Sequence, residues 1–350
     1  MKILVLGGTR FIGLHIVRIL CGEGHEVSIL NRGVTPAEVP VGVKRLHADR
    51  NDSGRVKKVL EGSSYDAVLD LSGYSPDDLK PVVEVLNGKV GHYVFCSSGA
   101  VYGLPFGRLN QAGARSGYTD MAGGKAAVSE EYPVDRSADA GQYGQNKISC
   151  EDLLMDAYAK QGFPGTSLRA VWVYGPDNHN KTQEASFFAR LTLGRKIIIP
   201  GDGHTLFHMI HVDDLANAFI SIIGRKATYG QVYNIAESEG TTANSYVQAL
   251  AAAVGVEPTI MHMDCENYEG LHDTLGFPAG YRIFPYPHRF TRVYDIGKAK
   301  QDFDWSPKYN VQTGMAMTYL WWKDQNLGFE DWDFTHEDEA LAKTELWTGR

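Results

Sequence analysis

An α/β doubly wound parallel sheet carrying a smaller α/β lobe is the fold class this sequence predicts, and two features predict it. Short apolar runs of strand length alternate with helix-length amphipathic segments from the first residues onward, the pattern of a parallel sheet covered by helices on both faces. The first of these junctions is also rich in glycine: Ile3-Leu4-Val5-Leu6 runs into Gly7-Gly8, and the helical repeat Ile12, Ile16, Ile19, Leu20 starts directly after it. With Gly22-Glu23-Gly24 closing that helix and a second apolar run at 26–30, residues 1–30 read as one βαβ unit.

In such a turn the absence of side chains lets backbone N–H groups approach a diphosphate, and the helix N-terminus adds about half a positive charge. Gly7, Gly8 and Gly13 suit that purpose, with Thr9, Arg10, Phe11 and Ile12 completing a candidate dinucleotide loop; the plainer alternative is an ordinary strand-to-helix turn. The second strand ends in Asn31-Arg32-Gly33, where an acidic residue would accept from a ribose 2′-OH and repel a 2′-phosphate. Asn31 stands there instead, and Arg32 with Arg10 offers two guanidinium groups to a 2′-phosphate. That favours NADP over NAD, the alternative being NAD held through the Asn31 amide.

A third strand at 43–46 leads to Asp49 and Arg50, with Asp49 placed for an adenine amino group. A fourth at 66–71 ends in Leu71-Ser72-Gly73-Tyr74, a small-residue edge to pass beneath the dinucleotide, and 76–87 reads as the next helix. The fifth strand, around Cys96-Ser97-Ser98, brings hydroxyls to the carboxyl end of the sheet, where such folds bind ligands. A later helix opens at Gln142 and carries Tyr143 and Lys147 four residues apart on one face. Asp213-Asp214 are read as caps of a helix at 215–223, residues 232–236 return to the sheet, and Thr241-Thr242 cap a helix running to 254. The expected division is a dinucleotide-binding domain from 1–176 and 207–237, and a substrate lobe from 177–206 and 238–350.

With 350 residues, 43% of them hydrophobic, the chain can bury a large core. Its four cysteines, Cys21, Cys96, Cys150 and Cys265, form no close pair, which predicts reduced thiols and neither disulfide nor zinc. No apolar run nears the roughly 20 residues of a membrane span, and the opening strand leaves no room for a leader, so a cytoplasmic protein without membrane or metal is expected. A net charge of −8 opposes a general nucleic-acid surface.

Five stretches occur in an order and spacing that resemble the NAD-dependent epimerase/dehydratase family of extended short-chain dehydrogenases/reductases. They are Gly7 to Gly13, Ser97-Ser98-x-x-Val101-Tyr102-Gly103, Tyr143-x-x-x-Lys147, Leu168-Arg169-x-x-x-Val173-Tyr174-Gly175-Pro176 and Ile210-His211-Val212-Asp213-Asp214-Leu215-Ala216. The likeness extends to about residue 320, through Asp295-Ile296-Gly297-Lys298 and Trp305-Ser306-Pro307, and departs at Arg10, which stands where the family has its middle glycine. Within the family the glycine loop and Asn31-Arg32-Gly33 look most like the chloroplast stem-loop-binding branch and its bacterial relatives. The resemblance implies Ser98, Tyr143 and Lys147 as catalytic residues. It also implies Tyr143, Lys147, Cys96 and Val171 beside the cofactor, and Ser98, Tyr102, Asn178, His208 and Arg292 beside the substrate. Tyr143 would take a hydroxyl proton, acidified by Lys147 and the nicotinamide charge, while Ser98 holds the oxygen.

Family dehydratases carry an acidic pair where this chain has Gly99-Ala100, which counts against water elimination. Family epimerases carry a diphosphate-gripping arginine three residues before Ile210, where Phe207-His208-Met209 stand, leaving Arg282, Arg289 or Arg292 to compensate. Asp120, Glu130, Glu131 and Asp135 are candidate extra acids or bases. The expected activity is epimerisation or oxidoreduction at a sugar or nucleotide-sugar hydroxyl. The alternatives are an NADPH-dependent carbonyl reductase and, from the chloroplast branch alone, an RNA-binding or stem-loop-processing protein. A homodimer through the helices near 76–87 and 143–160 is likewise an implication of the resemblance.

Overall fold

The computed structural model describes residues 1–103, 127–137, 141–275, 282–325, 327–328 and 332–347. The chain divides into two compact units, one of residues 1–173, 208–239 and 293–309, the other of 174–207, 240–292 and 310–350.

The first unit is built on a seven-stranded sheet of β1 (Lys2–Leu6), β2 (Glu26–Asn31), β3 (Lys44–His47), β4 (Ala67–Asp70), β5 (Tyr93–Ser98), β6 (Gly165–Ala170) and β7 (Gln231–Ile235). Their order across the sheet is β7-β6-β5-β4-β1-β2-β3, and the pairings are parallel, Ile3 facing Val27 on one side and Ala67 on the other. The order doubles back at β1 and β4, the Rossmann arrangement, in which ligands bind beyond the carboxyl ends of the strands at the reversal. Central strands covered on both faces must be apolar throughout: Ile3, Leu4, Val5 and Leu6 are wholly buried, as are Ala67, Val68 and Leu69. β3 is an edge strand, its residues mostly exposed.

The helices of this unit are α1 (Phe11–Gly22), α2 (Ser53–Leu60), α3 (Pro76–Leu86), α4 (Gly141–Gln161), α6 (Val212–Ser221) and α9 (Gly297–Phe303). α3 starts where its sequence says it should, with a capping box of Ser75 and Asp78 and Pro76 at the first position. α6 does not. Its cap is the His211 side chain, which accepts from the Asp213 N–H; Asp213 itself takes the His15 ring at 2.6 Å, and the Asp214 carboxylate accepts from the N–H groups of Lys308 (3.0 Å) and Tyr309 (2.9 Å). Asp214 therefore fastens a distant segment, and its carbonyl takes the indole N–H of Trp305 at 3.1 Å. This explains a second departure from expectation. Residues 293–309, assigned by sequence to the substrate lobe, belong to the first unit because Tyr294, Ile296, Ala299, Phe303 and Trp305 fill the same core as the sheet.

The second unit contains α5 (Glu184–Thr192), α7 (Ala243–Val254), α8 (Cys265–Leu275), α10 (Val311–Asp324) and α11 (Thr335–Trp347). Thr242 caps α7 by accepting from the Ser245 N–H, and Gly255, in the left-handed region at φ +84°, ends it. Strand Ile197–Pro200 pairs in parallel with Ile260–Met263, and Leu206–Phe207 pairs antiparallel with Thr241–Thr242. Among the described residues no helix is long and apolar enough to cross a membrane.

One buried ion pair holds the β4 end in place. Arg50 donates twice to the Asp70 carboxylate (3.0 and 2.8 Å) and once to the Asp78 carbonyl (2.7 Å), and the Tyr93 hydroxyl also donates to Asp70. Breaking such a pair strands an uncompensated charge in the interior, at about 3–5 kcal/mol. Arg50→Leu should lower the unfolding free energy by that amount in guanidinium titrations, whereas Arg50→Lys should lose less; a Leu variant within about 1 kcal/mol of the wild type would show that Asp70 does not need its cation.

Candidate active site

The glycine turn between β1 and α1 is built by close approach. Gly7 adopts φ +96°, and a Cβ on Gly13 would lie 2.3 Å from the Gly7 carbonyl oxygen. A Cβ on Gly8 would meet Ile29 at 2.7 Å and Val17 at 2.9 Å, so the turn lies against the sheet and helix with no room for side chains. Arg10 is the residue before α1 and is exposed; its side chain makes no cap, and the first turn of α1 has no acidic residue. The N-terminal charge of the helix is thus left for an anion. Phe11, at φ +40°, is one of three non-glycine residues with positive φ among those described, a strained backbone of the kind found at ligand sites. Thr9 and Ile12 are half-buried beside it.

At the end of β2 the Asn31 Oδ1 accepts from the Gly33 N–H at 2.8 Å, while its Nδ2 is buried with no partner among the described residues. A buried donor awaiting an acceptor, beside the glycine turn, fits an adenosine ribose. Arg32 is exposed, as is Asp49, whose Oδ1 accepts from the Asn51 N–H at 3.0 Å. Arg50 turns both terminal nitrogens of its guanidinium to Asp70 and Asp78. Leu71 and Ser72 are half-buried and Gly73 buried at the β4 end, where a Gly73 Cβ would meet Leu79 at 2.4 Å. Val171 is half-buried against the core.

α4 positions the chemical group. Tyr143, Lys147 and Glu151 follow one another at four-residue intervals on one face. Lys147 is 2% exposed. Its ammonium donates to the carbonyls of Gly73 and Cys96, each at 2.7 Å, and so ties the loop after β4 to β5. Three rings surround it, Phe95, Tyr74 and Tyr143, with centroids at 4.7, 5.2 and 5.6 Å. Ser98, the last residue of β5, accepts from the Ala100 N–H at 3.2 Å and lies close enough to Tyr143 to draw its hydroxyl pKa down.

The electrostatics run against the simplest expectation. Tyr143 is 47% exposed as a residue, yet burial raises its hydroxyl pKa well above the ordinary value, the Cys96 thiol adds to the rise, and only the Ser98 hydrogen bond opposes it. Burial lowers the Lys147 pKa. Burial outweighs the Ser98 contribution at the phenol, and the Lys147 ammonium directs its donors at two backbone carbonyls.

Behind the site lies a buried network that the sequence reading did not assign. Arg169 donates to Glu151 at 3.0 and 2.7 Å and to the Tyr102 hydroxyl at 2.7 Å; Ser97 donates to Glu151 at 2.6 Å; Tyr102 donates to Asn234 at 2.9 Å. Tyr102 is therefore a member of the interior, 1% exposed, and not a substrate contact. Glu130 accepts from the Asn234 N–H at 2.7 Å, and Asp135 accepts from the N–H and hydroxyl of Ser137 at 2.9 and 2.6 Å. Asp120 lies outside the described residues. His208 is 4% exposed, accepts from the Tyr294 N–H at 3.0 Å and is pushed by burial down to about 4, so its ring stays neutral and internal.

In the second unit Asn178 is also occupied, donating to Gln183 at 2.8 Å and Glu184 at 2.9 Å and accepting from the Asn180 N–H at 3.0 Å. Arg289 is paired with Glu269 at 2.7 Å, and Arg292 is 2% exposed. Glu184, which sequence reasoning missed, is 2% exposed, and burial pushes its carboxyl up to about 7 against the hydrogen bonds from Asn178 and the Gly175 N–H. No sequence signal marked it beyond its place at the start of α5.

Sheet order, glycine turn and helix-borne Tyr143/Lys147 pair define a Rossmann-fold enzyme of the extended short-chain dehydrogenase/reductase class. The family model for the NAD dependent epimerase/dehydratase family matches residues 3–236, and the chain belongs to that family. It is similar along most of its length to a chloroplast stem-loop binding protein of 41 kDa from Arabidopsis thaliana, 31% identical over 362 residues, 98% of this chain and 84% of the other. A UDP-glucose 4-epimerase from Lactobacillus helveticus is 25% identical, covering 95% of this chain and all of the relative (100%). Among solved structures, a dTDP-glucose 4,6-dehydratase from Bacillus anthracis in complex with NAD shares the fold, with a TM-score of 0.71 at 18% identity over 93% of this chain and 97% of that one.

The buried Glu184 carboxyl has a consequence for stability. Its native pKa of about 7 lies above the 4.5 of an exposed glutamate, so between these values the native chain holds more protons than the unfolded one. Stability then falls as pH rises through that window, by up to about 3 kcal/mol. Glu184→Gln should remove this decline, measured as the difference in unfolding free energy between wild type and variant at about pH 5 and pH 8; a difference that does not change with pH would show that Glu184 titrates normally.

Proposed function

We propose that the chain transfers hydride between a nicotinamide dinucleotide and a sugar hydroxyl, with a nucleotide-sugar as substrate class and epimerisation or oxidoreduction as outcome. The observation that carries this reading is the meeting of Ser98, Tyr143 and Lys147 at the carboxyl end of β5, in the unit that also holds the glycine turn. The names of its relatives, a UDP-glucose 4-epimerase and a dTDP-glucose dehydratase bound to NAD, support the substrate and cofactor classes.

The fit of a dinucleotide rests on the sterically closed glycine turn, the unopposed α1 N-terminus and the orphaned Asn31 Nδ2. Gly7, Gly8, Thr9, Arg10 and Gly13 would hold the diphosphate, and Asn31 and Arg32 the adenosine ribose, with NADP favoured over NAD because no acid stands at the β2 end. When bound, the nicotinamide supplies the hydride acceptor and a positive charge. Ser98 holds the substrate oxygen against Tyr143, and Tyr143 takes its proton. Lys147, fixed on two carbonyls, keeps its ammonium beside the phenol ring and supplies the charge that the phenolate requires. Since burial, helped by Cys96, holds the phenol pKa up, ionisation waits for the added charge of a bound cofactor. Gly99-Ala100 in place of an acidic pair favours this chemistry over dehydration.

A second reading, binding of a stem-loop RNA, is favoured by the 31% identity to the chloroplast protein and opposed by the net charge of −8. A homodimer through α3 and α4 and a cytoplasmic location complete the reading.

Tyr143→Phe should leave dinucleotide affinity nearly intact and lower turnover of a nucleotide-sugar panel at least about a hundredfold; near-normal turnover would refute the assignment, and an RNA mobility shift that survives the substitution would favour the second reading. In the oxidative direction kcat/KM should rise with pH in the wild type, because the proton acceptor must be ionised, and the rise should flatten in the Phe variant. Arg32→Ala should weaken NADPH at least about tenfold more than NADH in fluorescence titrations; equal losses would remove the preference for the phosphate.

A further inference from the structure

Of the three rings around Lys147, Tyr74 is explained neither by the core nor by the hydride-transfer reading. Phe95 is wholly buried in the interior, and Tyr143 is the proton acceptor of that reading. Tyr74 is 58% exposed, a large aromatic side chain left at the surface, yet its ring lies over the ammonium of a lysine that is 2% exposed. The Lys147 Nζ stands 5.2 Å from the ring centroid, within the roughly 6 Å over which a ring face attracts a cation. The backbone fixes the ring there. The Gly73 carbonyl accepts from the Lys147 ammonium at 2.7 Å, and the Tyr74 N–H donates to Asp78 Oδ2 at 2.9 Å, an oxygen that also accepts from the Ser75 N–H at 2.9 Å. Tyr74 is therefore pinned on both sides, to α4 through Lys147 and to the start of α3 through Asp78.

The ammonium beneath the ring has no carboxylate of its own. Besides Tyr143 and Tyr74, the titratable groups that face it are Asp70 from β4, Cys96 from β5, and Cys150 and Glu151 from α4 itself. Asp70 is engaged by Arg50 and Glu151 by Arg169, so the printed donors of Lys147 go to backbone carbonyls only. Partial burial, with Cys96, Asp70 and Asp78, pushes the Tyr74 hydroxyl pKa up, so this phenol stays neutral and offers the cation a ring face without a charge. What the ammonium can do for a neighbouring phenol depends on how much water lies around it, because water screens a charge that a dry site transmits.

We propose that Tyr74 is a positioning residue that acts through Lys147: its ring closes the solvent side of the ammonium and keeps that charge dry beside the Tyr143 phenol. The ring does this work and the hydroxyl does not. The shield itself is a property of the chain, whereas its consequence for Tyr143 rests on the hydride-transfer reading.

Trace acetylation of the full chain with acetic anhydride, read peptide by peptide by mass spectrometry, tests the shield without any turnover. In the wild type Lys147 should label at least about tenfold more slowly than the exposed Lys58. Tyr74→Ala should raise the Lys147 rate at least about fivefold, while Tyr74→Phe, which keeps the ring, should hold it at the wild-type value. Tyr74→Leu takes the place of the Ala variant if that one lowers the guanidinium midpoint. Equal rates for Lys147 and Lys58 in the wild type, an unchanged rate without the ring, or the same rise in the Phe variant would overturn the proposal. In the oxidative direction the rise of kcat/KM with pH should move to higher pH by at least about 0.5 when the ring is lost, because a hydrated ammonium favours the phenolate less, and should return in Tyr74→Phe. Faster labelling with an unmoved profile would overturn the positioning role. A wild type that turns over no nucleotide-sugar would remove the hydride-transfer reading, and with it the effect on Tyr143, while the labelling rates still decide the shield.

Discussion

The Glu151 carboxylate is the point on which the architecture of the site depends. It takes two donors from Arg169 on β6 and one from Ser97 on β5, and it lies one helical turn beyond Lys147 on α4. That single group therefore sets both the rotation and the height of α4 against the sheet, and with them the places of Tyr143 and Lys147. Buried ion pairs contribute little to net stability, since desolvation consumes most of the Coulomb gain. What this one contributes is registry: an apolar substitute would let α4 slide, whereas a bidentate guanidinium–carboxylate pair with a shared serine has one geometry. The Arg50–Asp70 pair does the same for the β4 end, so the two carbonyl groups that hold the Lys147 ammonium, on the loop after β4 and on β5, belong to segments that are each braced by a buried ion pair.

Within that frame the Tyr143 phenol is under electrostatic tension. Burial holds its proton in place, and the Lys147 ammonium faces backbone oxygen. The same desolvation that raises the phenol pKa also strengthens the charge interactions around it.

The polar residues that seemed free for substrate are mostly committed to the fold. Asn178 is locked in its own loop, Arg289 faces Glu269, His208 serves a backbone N–H, and Tyr102 closes the network behind β5.

Much of this was legible in local sequence. Apolar runs too continuous for an exposed strand identified the parallel sheet, a glycine triplet identified the turn, Thr242 marked a helix start, and a four-residue interval put Tyr143 and Lys147 on one face; each follows from the period or steric freedom of a few adjacent residues. The partners of long-range polar groups were not legible. Asp214 looks like a helix cap until residues 305–309 are seen to hang from it, Arg50 looks like a cofactor ligand until Asp70 claims it, and Glu184 looks like any helix-opening glutamate until its burial raises its pKa. Hydrogen-bond partners separated by tens to hundreds of residues leave no periodic trace, and a pKa depends on the water removed around a group. Sequence by itself determined the sheet, its turn and the face of α4, while only the tertiary structure decided which charged side chains brace that sheet and which remain to meet a ligand.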